Sequence, residues 1–229
     1  MVLHKYDKLY ALQDDVMRAV FSRQLGFYLT GGTALSRFHL NHRYSDDLGF
    51  FTHEINSFGD AVRMVRSDLE ELFSPVIVEV DAREFKRLRV QRADVTLKID
   101  FVADRAPRVG VPENRDGRYV DRVRNILSNK VGAVISRDEA RDVADLVQIS
   151  RSYRFSWLAV LQEALEKQQF DREELAYRLS TFPVPMLRDV PYRSSAPNIQ
   201  KTETLIRTMA KDIESGRENS LAGAHAPEL

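Results

Sequence analysis

Apolar and polar residues alternate with two different periods along the first half of the chain. Apolar side chains recur every three or four positions over residues 5–24 and again over 60–73, which predicts two amphipathic helices. Shorter apolar runs predict strands at 27–29, 48–51, 76–80, 84–90 and 94–102. In the last run every second residue is apolar, so its polar residues share one face, namely Thr96, Lys98 and Asp100.

The pattern becomes helical from about residue 121 onward. An apolar stripe from Val123 to Ile135 predicts one helix, and further helices are expected near 139–150, 156–169, 172–180 and 198–214. Four prolines between residues 183 and 197 predict an irregular connection, and the polar tail after Ser215 predicts poor order. We therefore expect an α/β domain over 1–120, a helical domain over 121–215 and a disordered tail over 216–229.

Composition narrows the class of protein. Because 34 basic residues balance 34 acidic ones, the total charge does not favour nucleic-acid binding, although a local patch still can. The absence of cysteine excludes disulfides and thiolate metal sites, and is typical of a reducing compartment. No run of about eighteen apolar residues is present to span a membrane, and the charged N-terminus does not resemble a signal peptide. We expect a cytoplasmic protein.

A glycine turn is the first candidate for chemistry. Gly31 and Gly32, flanked by Thr30 and Thr33, follow a predicted strand and precede a predicted short helix at 33–40. Glycines at such a place let backbone N–H groups approach a phosphate closely, and the helix N-terminus favours an anion. Gly-Gly turns are common, so the alternative is a turn with no chemical role.

Two aspartates on separate predicted strands are candidate metal ligands. On a strand, Asp47 and Gly49 lie on one face, and Leu48 and Phe50 lie on the other. Nucleotidyl transfer with two divalent cations about 3.5–4 Å apart needs converging carboxylates. Acids at positions i and i+2 of one strand, with a third from a neighbouring strand, supply them. Asp47 and Asp100 fit the first and third of these positions.

Three blocks of sequence together resemble a known family. The segment GGTALSRFHLNHRYSDDLGFF is similar to the signature of the AbiEii/AbiGii-type nucleotidyltransferase toxins, a bacterial branch of the polymerase-β superfamily. The strand LKIDFV around Asp100 resembles the third-carboxylate strand of that family. A later helical motif is matched by Lys130, Arg137, Arg141, Asp142 and Asp145.

The resemblance implies an α+β fold, with a polymerase-β-like module built on a mixed β-sheet and a helical C-terminal half that closes over the nucleotide. It implies an NTP substrate, Mg²⁺ or Mn²⁺, an RNA (tRNA) or protein acceptor, and a cognate antitoxin. Under this hypothesis Asp47 and Asp100 hold metal and Lys130 neutralises the triphosphate. Asp142 is placed at the catalytic site with them. The residues that cradle the phosphates are Gly31, Gly32, Thr33 and Ser45.

The chain departs from the family pattern at Gly49, where the family has the second Asp of its Asp-x-Asp pair. Asp46 does not replace that acid, because adjacent strand residues face opposite sides. A slip of the strand by one residue, or a bulge, would place Asp46 on the face of Asp47, but a slip would also turn Leu48 and Phe50 out of the core. Loss of one ligand is expected to weaken transfer by several powers of ten.

The remaining candidates each have a structural alternative. Ser45 either contacts phosphate or closes the turn before the strand, and Arg43 either orders that loop or binds phosphate. Lys130 is either a phosphate ligand or a lysine extending along its helix. Asp142 and Asp145 either serve the site or form an ion-pair lattice, whose partners are Arg137 and Arg141. A basic run is either an RNA contact or the solvated side of an edge strand, its members being Arg83, Lys86, Arg87, Arg89 and Arg92.

Two other functions compete with catalysis. A pseudoenzyme keeps the fold and acts through nucleotide or partner binding, and Gly49 is the residue that favours it. A plain nucleic-acid-binding domain predicts salt-sensitive RNA binding that depends on neither NTP nor Mg²⁺.

Overall fold

The structure, a computed structural model, describes residues 2–229. The chain forms two compact units, each assembled from several stretches of sequence. The first comprises Met1–Ala34, Ser45–Arg105 and Pro112–Asp121, and the second Leu35–Tyr44, Ala106–Val111 and Arg122–Leu229. The last division follows Asp121, close to the expected boundary after residue 120, while two short segments of the first half belong to the second unit.

A seven-stranded mixed sheet is the centre of the first unit. The strands are β1 (Tyr28–Thr30), β2 (Asp47–Thr52), β3 (Val76–Asp81), β4 (Phe85–Arg92), β5 (Val95–Ala103), β6 (Glu113–Arg115) and β7 (Arg118–Val120). The helices are α1 (Val2–Ser22), α2 (Gly31–Ala34) and α3 (Phe58–Leu72). The order is β3-β4-β5-β2-β1-β7-β6, parallel for β2–β5 and β1–β7 and antiparallel for the other pairs. The expected α+β class is confirmed.

One face of this sheet is the core of the unit. The ring of Phe50 in β2 packs on Phe21 of α1 and stacks on Phe101 of β5, with centroids 5.6 and 5.5 Å apart. Phe27, just before β1, packs on Phe58 of α3. Because strand residues alternate between faces, this burial leaves the polar residues of β2, β4 and β5 on the other face.

The parallel pair β2–β5 has a continuous register, from Asp47 opposite Lys98 to Thr52 opposite Ala103. Gly49 therefore lies directly opposite Asp100. No register shift occurs that would bring Asp46 onto the face of Asp47. Asp46 is exposed and precedes the strand.

The second unit is helical. Its helices are α4 (Val123–Ser136), α5 (Ala140–Ser152), α6 (Trp157–Leu165), α7 (Arg172–Ser180) and α8 (Ile199–Ser215), with a π-helical segment at Leu35–Leu40 and a 3₁₀ helix at Val184–Asp189. The 3₁₀ helix lies in the proline-rich connection that the sequence indicates as irregular. Within the described residues, the helices are all too short or too polar to cross a bilayer.

The hairpin β6–β7 is a feature that the hydrophobic pattern does not predict. Both strands are three residues long and rich in charge, so they carry no alternating apolar signal. The turn residues Asp116 and Gly117 have φ angles of 53° and 81°. Two-residue hairpin turns with positive φ favour Asp-Gly, so this pair is the sequence feature that could have predicted the hairpin.

The polar tail after Ser215, expected to be disordered, is instead hydrogen-bonded to the second unit. Gly216 adopts φ 60° and ends α8, as glycine commonly does at this position. The Asn219 side-chain amide donates to the carbonyls of Ser150 and Tyr153, both at 2.7 Å. The Asp212 carboxylate accepts from the backbone and hydroxyl of Ser220. Polar composition is thus a poor guide here, because the polar groups satisfy backbone groups at helix ends.

Asn219→Ala is expected to lower the free energy of unfolding by about 1–3 kcal/mol, since it removes the amide that donates to the buried carbonyl of Ser150 and the partly buried carbonyl of Tyr153. Urea unfolding followed by circular dichroism measures this loss. His225→Ala is the control, because His225 is exposed in the same tail. Equal stability of the two variants would mean that the tail is not held as described.

Candidate functional site

The polar face of the sheet brings Asp47 and Asp100 together. Asp47 is the first residue of β2, and Asp100 lies in the middle of β5, which pairs with β2. Their side chains are 29% and 22% exposed, so ligands can reach both carboxylates. Placement of the two acids on one accessible face agrees with the sequence-based geometry.

Gly49 lies between them on this face and has room for a larger side chain. A Cβ built at Gly49 would meet its nearest neighbours, the Phe51 ring and the Thr30 carbonyl, at 3.9 Å, which is ordinary contact. Its φ lies outside the left-handed region, so the backbone accepts any L residue. The glycine is therefore not demanded by the fold.

Each of the two carboxylates has a basic partner at the opposite position of an adjacent strand. Arg87 of β4 donates to both oxygens of Asp100, Nε to Oδ1 at 2.6 Å and Nη2 to Oδ2 at 2.9 Å. The Lys98 ammonium lies 3.3 Å from the Asp47 carboxylate. The hydrogen bond to Asp100, reinforced by the charges of Asp100 and Asp47, raises the pKa of Arg87 above its ordinary value. The guanidinium is a permanent counter-ion.

These residues do not fit a centre for two divalent cations. Among residues 2–229 there is no group of three or more histidine, cysteine, aspartate or glutamate side chains that would hold a metal. Two carboxylates are available where such chemistry uses three, and a metal at Asp100 would have to displace a two-pronged guanidinium.

The glycine turn stands beside the same face. Gly31 has φ 70°, which favours glycine, and nothing lies within 4 Å of the position a Cβ would take. The Thr33 hydroxyl reaches the Asp47 carbonyl and lies 2.8 Å from the Ser45 hydroxyl. Thr33 and Ser45 are both buried, and the Ser45 carbonyl accepts from Gln13. These bonds tie the turn to the start of β2 and favour the turn-closing role of Ser45; phosphate contact stays a prediction.

A buried acid that the sequence analysis does not single out lies next to this turn. Asp121 follows β7 and is 1% exposed, and its carboxylate accepts from the Thr30 hydroxyl at 2.5 Å. The backbone of Asp121 also donates to Leu29, which extends the parallel pairing of β7 with β1. Nothing in its sequence neighbourhood distinguishes Asp121, because its partner is 91 residues away.

Lys130 and Asp142 belong to a separate cluster inside the second unit. The Lys130 ammonium lies 2.5 Å from Asp142 and 2.6 Å from Asp145, and both carboxylates are fully buried. Arg43 makes a two-pronged bond to Asp145 at 2.7 and 2.8 Å, and Arg137 donates to Asp142 at 2.8 Å. A lattice of buried ion pairs therefore connects α4, α5 and the segment before β2.

The acids of this cluster are held in their charged form. Burial disfavours ionisation of both, yet Lys130 and Arg137 lower the pKa of Asp142, and Lys130 and Arg43 hold the pKa of Asp145 well below its usual range. An acid with a lowered pKa is a weak proton acceptor at neutral pH. The contacts thus favour the ion-pair alternative for Asp142 and Asp145, and an ordering role for Arg43. Arg137 is a partner as expected, whereas the ion pair of Arg141 goes to Glu139.

The basic run lies largely on β4, which is an internal strand and not the edge strand that the sequence suggested, because β3 pairs on its outer side. Four of its five members are ion-paired within the first unit: Lys86 with Asp81, Arg87 with Asp100, Arg89 with Glu79 and Arg92 with Asp15. Pairing reduces the charge left for an RNA backbone. The ion pairs favour a structural role for these residues over contact with RNA.

Comparison with known proteins decides the family. The model for the family described as "Nucleotidyl transferase AbiEii toxin, Type IV TA system" matches residues 15–224. The chain belongs to the AbiEii nucleotidyltransferase toxin family. No curated protein sequence matches it.

Solved structures support the fold of this AbiEii family member. JHP933 from Helicobacter pylori is similar with a TM-score of 0.58 and 21% identity, over 88% of this chain and 90% of that one. MenT4, a nucleotidyltransferase toxin from Mycobacterium tuberculosis, has a TM-score of 0.58 and 14% identity, over 92% of this chain and 84% of that one. At these identities the likeness concerns the fold alone.

Asp142→Asn is expected to lower the free energy of unfolding at neutral pH by about 3 kcal/mol, because it removes a buried carboxylate that pairs with both Lys130 and Arg137 and leaves Lys130 with Asp145 alone. The lowered pKa of Asp142 stabilises the fold above the ordinary aspartate pKa, and this contribution is lost as pH falls through the folded-state value. The variant should therefore lose less stability than wild type on acidification.

Urea unfolding from about pH 7 to about pH 3 measures both effects. Asp138→Asn is the matched control, because the Asp138 side chain is 88% exposed and pairs with Arg178 at the surface. A wild-type-like Asp142→Asn at every pH would contradict the buried network.

Proposed function

We propose that this chain is a nucleotidyltransferase of the toxin–antitoxin type whose transfer of NMP from an NTP to an RNA (tRNA) or protein acceptor is strongly weakened. Gly49 carries the proposal, because it lies opposite Asp100 at the position where a third carboxylate would complete the metal site. Family membership supports the reaction class, and the accessible Asp47 and Asp100 support the place.

Under this proposal the residues of the first unit have different roles. Asp47 and Asp100 would supply two of the three carboxylates that a centre for Mg²⁺ or Mn²⁺ needs, and Gly49 leaves out the third. Gly31 and Gly32 offer backbone N–H groups to the triphosphate in a turn that is open in front of Gly31. Thr33 and Ser45 hold that turn against the start of β2.

The proposed roles of Lys130 and Asp142 are different. In the second unit these residues contact one another and are shielded from solvent. We assign them to positioning of α4 and α5, through the same ion pairs that lower the pKa of Asp142. The phosphate role of Lys130 and the catalytic role of Asp142 stay predictions of the family resemblance.

A pseudoenzyme is the second candidate function. The observation that favours it is the pairing of both remaining carboxylates with Arg87 and Lys98, which balances their charge without a divalent ion. Such a protein would act in the cytoplasm by binding a nucleotide or a cognate antitoxin.

Gly49→Asp is expected to raise Mg²⁺-dependent transfer by at least about a hundredfold, since each factor of ten requires only about 1.4 kcal/mol of transition-state stabilisation. Label from each of the four α-labelled NTPs is followed into bulk RNA and into protein. A Cβ at position 49 meets no atom closer than 3.9 Å.

Gly49→Asn is the matched control, because it fills the same space without a charge, and Asp47→Asn added to Gly49→Asp should abolish the gain. A Gly49→Asp variant that is silent with every NTP and acceptor would favour the pseudoenzyme. Equal activity of wild type and Gly49→Asp would show that position 49 is not a ligand position.

A further inference from the structure

Arg87 and Lys98 are the cations nearest to the remaining carboxylates, and both retain unused hydrogen-bond donors. Arg87 uses Nε and Nη2 on Asp100, and the hydrogens of Nη1 meet no acceptor within residues 2–229. Lys98 has three ammonium hydrogens and one ionic partner, Asp47. Their side chains are 31% and 36% exposed, so a ligand can reach both.

Strand register places these cations where metal charge would act. Arg87 is the β4 partner of Asp100, and Lys98 is the β5 partner of Asp47. Adjacent strands are about 4.8 Å apart, so both cations lie within a strand spacing of the carboxylates. A divalent ion between carboxylate and phosphate neutralises both anions at once. A guanidinium carries one charge and does not neutralise both, but with one edge on a carboxylate it still offers its other hydrogens to a phosphate.

We propose that Arg87 and Lys98 bind the polyphosphate of a nucleotide directly on this face, through the donors that their carboxylate partners leave unused. The inference rests on the proposed function in taking a nucleotide as the ligand. The carboxylates then orient the cations: Asp100 orients the Arg87 guanidinium, and Asp47 orients the Lys98 ammonium. Nucleotide binding by the wild-type chain accordingly needs no Mg²⁺.

Arg89 provides a matched comparison. It lies two residues from Arg87 on the same strand and is also ion-paired, but its partner is Glu79 of β3 and not a site carboxylate. An Arg→Gln change at either position removes one charge from β4. Arg89 is the β4 partner of Lys98, but its own ion pair is with Glu79, so under the proposal the change at Arg87 alone removes a cation that a site carboxylate holds.

The test is equilibrium dialysis of labelled ATP against the full chain, with Mg²⁺ or with EDTA, and with tripolyphosphate as competitor. The affinity of the wild-type chain for ATP should agree within about twofold in the two buffers. Arg87→Gln or Lys98→Gln should each lower that affinity about tenfold, which is what one charge-assisted hydrogen bond usually contributes. Arg89→Gln should leave the affinity within about twofold of wild type. Competition by tripolyphosphate should show that the phosphates supply the contact.

Arg87→Lys keeps the charge but not the fork and should bind ATP with intermediate affinity. If thermal melting shows that Arg87→Gln does not fold, ATP binding by Arg87→Lys and by Lys98→Gln tests the proposal in its place. Binding that requires Mg²⁺, binding in neither buffer, or equal effects of Arg87→Gln and Arg89→Gln would each overturn the inference. ATP binding in EDTA together with silent Gly49→Asp transfer would overturn the proposed function alone.

Discussion

The parallel pairing of β2 with β5 is the constraint on which the candidate site depends. Leu48 and Phe50 are buried on one side of β2, so a shift by one residue would expose them and bury charge in their place. The register is thereby fixed, and with it the facing of Gly49 and Asp100. The core on one face of the sheet thus determines which chemical groups meet on the other face.

The chain uses charge in two different ways. On the sheet, half-exposed pairs such as Arg87 with Asp100 contribute little to stability because solvent screens them, and they remain open to exchange with a ligand. In the second unit, Lys130 is buried between two carboxylates, and loss of any member leaves an uncompensated charge away from water. Residues matched to one family signature therefore divide into a partly exposed group on the sheet and a buried, ion-paired group in the second unit.

Period-two alternation was enough to predict that Asp47 and Gly49 share a face of β2 and that Asp100 lies on the polar face of β5, because each property is local to one strand. The partners Arg87 and Lys98 were not predicted as such, since they follow from the register between strands. The pairing of Asp121 with Thr30 was missed for the same reason. The tail and the hairpin β6–β7 were missed because short polar segments are ordered here by hydrogen bonds, which leave no hydrophobic period.

Gly49 also bears on how readily the chain can change its activity. A Cβ at this position meets no close neighbour and no unusual backbone angle, while an acid there would face Asp100 across the strand pair. At Asp142 the same exchange of a carboxylate for a neutral side chain would remove a partner of both Lys130 and Arg137 inside the second unit. The backbone of β2 therefore leaves the identity of residue 49 open, and the charge of the polar face can change there without any change in the buried face of the strand.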